Sequence, residues 1–137
     1  MSRAHLAVDL LRCGYKVRFR VMGTSMLPTI PPGSVVVVEP VEAHALTRGD
    51  IVLSNGSGRL IAHRIEAVQA DRRGVLKFLL RGDNLPHCDL PVTAAAILGR
   101  VRCVTANDNW LGVVETAWST LVERFGREAR RALGRAA

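Results

Sequence analysis

Two periodicities divide the chain. Residues 2–13 place Leu6, Leu10 and Cys13 at helical spacing with Val8 and Leu11 beside them, Ser2 stands where a cap would, and Gly14 ends the run. From Lys16 the pattern changes to period two, with Val17, Phe19 and Val21 on one face and Lys16, Arg18 and Arg20 on the other, which predicts a strand with a solvated cationic face. After a Pro-rich interruption, Ser34-Val35-Val36-Val37-Val38-Glu39 predicts a strand buried on both faces. Arg48-Gly49-Asp50 turns the chain into Ile51-Val52-Leu53, and Asn55-Gly56-Ser57-Gly58 carries hairpin chemistry ahead of a return strand at 59–68. A further turn at Asp71-Arg72-Arg73-Gly74 leads to strands at 75–80 and 96–104, separated by a polar loop at 81–89. Short strands with regular turns and no helix between residues 16 and 104 predict a mainly β fold, an antiparallel coiled sheet or partly closed barrel.

Helical spacing returns after Asn107. Leu111, Val114, Trp118, Leu121, Val122, Phe125, Ala129 and Leu133 form one stripe, with most of the arginines elsewhere. The predicted organisation is therefore a short N-terminal helix at 1–14, a β domain at 15–106 and a longer basic amphipathic helix at 107–137. That last helix is expected to pack on its own domain or on another copy in a homo-oligomer; contact with a membrane surface or a partner protein is the competing arrangement.

Composition narrows the classes. Apolar content of 48% and charged content of 23% suit a globular domain and argue against wholesale disorder. The net charge of +7 sits mainly at the N-terminus, where residues 1–22 carry five basic side chains against one acidic. Charge alone fits an acidic substrate, an anionic membrane or nucleic acid. Aromatic content of 4% leaves few stacking platforms, so no specific nucleic acid partner is expected. Cys13, Cys88 and Cys103 show no paired spacing, so neither a disulfide framework nor a thiolate metal site is indicated, and no cofactor is called for. No apolar run is long enough to span a bilayer, and the N-terminus lacks a signal-peptide pattern. The expected location is cytoplasmic, with peripheral membrane association through the basic ends as a variant.

The Pro-rich interruption is the stretch with chemical content. Gly23-Thr24-Ser25-Met26-Leu27-Pro28-Thr29-Ile30-Pro31-Pro32-Gly33 is too irregular for a helix and too rich in proline for a central strand, so it can present a hydroxyl at a surface. A serine hydroxyl needs a base, a group that orients the base, and donors for a developing oxyanion before it can act as a nucleophile. Four boxes follow in order: Gly23 to Ile30, Arg48-Gly49-Asp50-Ile51-Val52, Ala62-His63-Arg64-Ile65, and Lys77-Phe78-Leu79-Leu80-Arg81-Gly82-Asp83-Asn84, with Asp89 six positions after Asp83. The series resembles the type I signal peptidases of the S24/S26 serine peptidase superfamily, and most closely the branch in which histidine replaces the lysine base.

By position, the resemblance implies Ser25 as nucleophile, His63 as general base, Asp89 as the acid that orients the histidine, and Asp83 as a further acidic site residue. It implies an oxyanion and substrate site around Ser25, Thr24, Met26 and Pro28, with the Ser25 N–H as leading donor. Gly23 stands where many relatives carry a hydroxyl. The residues agree with these roles independently: a neutral imidazole accepts a hydroxyl proton, and a carboxylate on its other nitrogen fixes the tautomer. Lys16 and Lys77, the only lysines, do not occupy the base's position. His5, His44 and His87 are expected to be structural, Asp83 can equally be a turn residue, and Met26 can equally pack behind the nucleophile.

The implied activity is a serine endopeptidase that removes a leader or propeptide from a peptide or protein precursor, cutting after small residues. Two rivals stand beside it: a self-cleaving repressor-like peptidase, for which Cys13-Gly14 would be the cut site, and an inactive protease fold serving as a binding module. The two Arg-Gly-Asp triplets suggest integrin binding, but both fall within the boxes above.

Overall fold

The computed structural model describes residues 3–56 and 58–105. The basic helix expected at 107–137 lies outside the described residues, as does the Ser2 cap. Helix α1 (Arg3–Arg12) is followed by strands β1 (Val17–Arg20), β2 (Val35–Glu39), β3 (Ile51–Ser54), β4 (Ile61–Ala70), β5 (Leu76–Arg81), β6 (Val92–Thr93) and β7 (Ile97–Thr105). All seven strands form one antiparallel sheet in the order β1-β2-β7-β3-β4-β5-β6, curled into a half-barrel. The mainly β architecture agrees with the period-two reading. The last of the described strands is inserted between β2 and β3, so it closes the sheet centrally.

Curling follows from irregular register. Shifts between Val37 and Val38, Leu53 and Ser54, and Ile65 and Ala67 interrupt the β2–β7, β3–β7 and β4–β5 ladders, and such bulges bend a strand and tighten its twist. Two buried clusters result. One joins Leu10, Leu11, Val17, Met26, Ile30, Val36 and Val38, and the other joins Leu46, Val52, Ile65, Phe78 and Leu80. Ten residues of helix are marginal alone, so α1 is held by Ala7, Leu10 and Leu11 in the first cluster. It ends as the sequence predicts, with Gly14 at φ 92° and N–H bonds from Gly14 to the Leu11 carbonyl and Tyr15 to the Leu10 carbonyl.

Three details differ from the sequence reading. Strand β2 is not buried on both faces: Val36 and Val38 are fully buried while Val35, Val37 and Glu39 are half-buried, because the core packs on one side of the curled sheet. Short 3-10 turns occupy Ala43–Ala45 and Ala94–Ala96, within a stretch expected to hold no helix. Strand β6 is too short to show a period, and its pairing with Lys77 and Phe78 exists only in the folded chain.

Candidate active site

The loop joining β1 to β2 is built to hold its middle still. Its neck is closed by the Val21 N–H to the Ser34 carbonyl at 2.8 Å and the Gly33 N–H to the Val21 carbonyl at 2.7 Å. Within it, the Ile30 N–H reaches the Met26 carbonyl at 2.9 Å, and Met26 and Ile30 are both buried in the first core cluster. Met26 is 1% exposed and so anchors the loop from beneath, whereas Thr24 and Pro28 are exposed. Ser25 is carried at the half-buried surface between those levels. Its N–H donates no hydrogen bond among the described residues, leaving a donor beside the hydroxyl.

His63 comes from β4, where Val52 of β3 is its cross-strand neighbour. Its side chain is buried, 5% exposed, so both ring nitrogens need partners from the protein. One partner is the Asp89 carboxylate, 2.5 Å from Nδ1, and the other is Ser25 Oγ, 3.1 Å from Nε2. A carboxylate can only accept, so Nδ1 carries the proton and Nε2 is left to accept from the serine hydroxyl. Asp89 is placed by its own N–H, which bonds the Leu80 carbonyl at 2.7 Å. The three side chains thus form one hydrogen-bonded line from carboxylate to hydroxyl.

Asp83 is brought near this line but is engaged elsewhere. Arg64 donates from Nε to Oδ1 and from Nη2 to Oδ2, each at 2.8 Å, and the Thr29 hydroxyl donates to Oδ2 at 2.5 Å. These hydrogen bonds, Arg64's first, hold the Asp83 carboxyl below the usual carboxylate range against the opposing effect of burial. The same pair raises the Arg64 guanidinium above its ordinary value. Arg64 also donates to the Gly49 carbonyl at 2.8 Å.

Around Asp83, the turn after β5 is tied to the serine loop. The Asn84 N–H bonds the Ser25 carbonyl at 2.9 Å, Asn84 Nδ2 bonds the Thr24 carbonyl at 3.2 Å, and the Asp83 N–H points at Met26 Sδ at 3.4 Å. Gly82 lies so close that a Cβ built there would stand 2.6 Å from the Ser25 carbonyl oxygen and 3.1 Å from His63 Nε2. Only glycine lets the turn approach both groups.

The model of the family described as peptidase S24-like matches residues 8–102, most of the chain and all the residues of this site. The chain belongs to the peptidase S24-like family. This S24-like membership carries a coarse assignment, a hydrolase of the serine protease kind or a self-cleaving relative of it. Among curated proteins none matches the chain. No helix among the described residues is long and apolar enough to cross a membrane.

Sequence reasoning named the residues of the line but missed what supports them in this S24-like chain. Arg64, Thr29, Gly82 and Asn84 were legible only as members of boxes. An arginine next to a histidine on a strand was the available signal, since adjacent residues face opposite ways and the cation must find its own partner. His5, His44 and His87 are all exposed.

Proposed function

We propose that the chain is a serine endopeptidase of the Ser-His kind, similar to signal peptidases, that cuts a leader or propeptide from a precursor after small residues. The observation that carries this reading is the Asp89–His63–Ser25 line of hydrogen bonds. In the proposed reaction Ser25 Oγ attacks the scissile carbonyl while His63 Nε2 takes its proton, and Asp89 stabilises the imidazolium through Nδ1. The Ser25 N–H, which donates no hydrogen bond among the described residues, supports the developing oxyanion. On collapse His63 returns the proton to the leaving amine, and a water then repeats the sequence to release the acyl group and restore the hydroxyl.

Asp83, held by Arg64 and Thr29, acts in this reading as a positioning residue that docks the 82–84 turn against the serine loop. Exposed Thr24 and Pro28 are the loop residues open to a bound peptide, and buried Met26 holds the loop from beneath. The precursor is the expected partner, met in the cytoplasm or at a membrane surface.

Against self-cleavage at Cys13-Gly14 stands the local backbone. That peptide closes α1, with the Cys13 N–H bonded to Asp9 and Leu10 and the Gly14 N–H to Leu11, whereas a peptidase groove takes an extended strand. Against integrin binding, Asp50 is taken up by the Thr47 N–H and lies 3.7 Å from Arg100, while Asp83 is clamped by Arg64. The test is cleavage of a peptide pool by wild type, Ser25→Ala and His63→Ala, each checked for folding. Cuts after small residues that vanish in both variants uphold the reading, and equal inertness of all three on peptides and candidate precursors favours the binding module.

A further inference from the structure

Beside Asp89 the surface opens into a cavity of about 400 Å³, lined chiefly by Ser54, Ile61, Leu80, Asp89, Leu90 and Val92. Its floor is the second core cluster, to which Leu80 belongs and on which Val92 packs. Of the three site residues it is Asp89 that lines the cavity, and the same carboxylate bonds His63. Ile61 precedes His63 by two residues on β4, so both side chains project from the same face. At the rim, Leu90 is 87% exposed and stands next to the exposed Pro91. One exposed leucine means little by itself. Here it extends an apolar lining whose polar members are the Ser54 hydroxyl and a carboxylate already bonded to histidine, the composition of a site that binds an apolar group and orients it with few polar contacts.

We propose that this cavity is a specificity subsite seating a large apolar side chain of the peptide substrate. The inference rests on the peptidase reading above and adds to it a second selection, separate from the preference for small residues at the cut. Charge supports the choice of occupant: an acidic side chain would meet the Asp89 carboxylate, and the lining holds no cation among the described residues to offset it. Size supports it as well, since the volume lies within the range of small-ligand pockets and exceeds what a methyl group would fill. Its distance from the reacting atoms limits which residue can reach it. An extended peptide advances about 3.3 Å per residue, and Ile61 is two strand positions from His63, so the occupant lies within about three residues of the scissile bond.

The experiment has two arms. In the first, wild type and Leu90→Glu, with Val92→Trp as a second way to close the cavity, cleave a peptide library in which each position within three residues of the cut is varied among Leu, Phe, Ala and Asp. Wild type is expected to prefer Leu or Phe over Ala at one position by about tenfold or more, the scale on which apolar pockets discriminate. That ratio should fall towards one in either folded variant. A flat profile at every position, or a preference that both variants keep, overturns the subsite.

The second arm needs no turnover. Acetylated hexapeptide amides carrying Leu, Ala or Asp are titrated into Ser25→Ala protein while the methyl signals of Ile61, Leu80, Leu90 and Val92 are followed by NMR. Saturable shifts with the Leu peptide, weaker with Ala and absent with Asp, uphold the subsite even if no peptide is cleaved, in which case the peptidase reading alone fails. An absence of shifts with every peptide overturns the subsite whatever the cleavage arm shows.

Discussion

Gly82→Ala adds one methyl group at the closest approach in the site. The new Cβ would lie 2.6 Å from the Ser25 carbonyl oxygen, 3.0 Å from Leu85 Cδ1 and 3.1 Å from His63 Nε2. The leucine methyl is the end of a flexible side chain and can give way. The Ser25 carbonyl is backbone and is already bonded to the Asn84 N–H at 2.9 Å, so it cannot. Reaching ordinary contact requires the serine loop and the 82–84 turn to separate by about 0.8 Å. Overpacking of this kind costs about 1–3 kcal/mol, which for a chain of this size lowers Tm by roughly 2–8 °C per kcal/mol. The functional effect should be larger. Ser25 Oγ sits 3.1 Å from Nε2, and a misplacement near 1 Å costs about 100-fold in rate. The assay is kcat/KM on the best peptide of the pool together with a thermal melt. If Gly82→Ala keeps kcat/KM within threefold of wild type, the turn does not fix the nucleophile and the reasoning is wrong.

Further outcomes follow from the same geometry. Asp89→Asn leaves the fold intact but presents the wrong hydrogen-bonding pattern to Nδ1, so kcat should fall by about 100- to 10,000-fold with little change in Tm; activity near wild type would mean that Asp89 does not orient the base. Arg64→Gln leaves Asp83 with Thr29 alone and should cost about 1–2 kcal/mol in urea unfolding, a value reduced because Arg64 is about one-third exposed. Adding Asp83→Asn to that variant should cost less than the sum of the two single changes, and strict additivity would refute the clamp. Because the folded Asp83 carboxyl is held below its ordinary value, the clamp's contribution is full above about pH 4, the unfolded range, and is lost as pH falls through the folded value. The Tm difference between wild type and Asp83→Asn should therefore shrink from pH 5 to pH 2, and a constant difference would contradict the direction of the shift.

Much of this was legible in the chain. The period-two run at 16–21 and the turn-bounded apolar runs at 51–53 and 75–80 reappear as strands within a residue or two, because alternation and turn chemistry are local properties of sequence. Gly14 ends α1 for an equally local reason. The order of boxes singled out Ser25, His63 and Asp89 as groups to be brought together, and the fold does bring them into hydrogen-bonding distance.

Which distant side chains meet depends on sheet order. Asp83 was a carboxylate without an assigned partner until the β4–β5 ladder placed Arg64 opposite Arg81, just ahead of the turn carrying Asp83, where Arg64 Nε reaches the carboxylate across 19 residues of sequence. Met26 was equally readable as groove or core until the 82–84 turn came down on it from 57 residues away. The half-exposed face of β2 reflects a core that packs on one side of the curled sheet, and the cavity beside Asp89 is lined by Val92 because β6 returns to pair with β5. Sequence specifies turns and periods through interactions between near neighbours. Which carboxylate meets histidine and which meets arginine is settled by contacts between residues far apart in the chain, and those exist only once the sheet has closed.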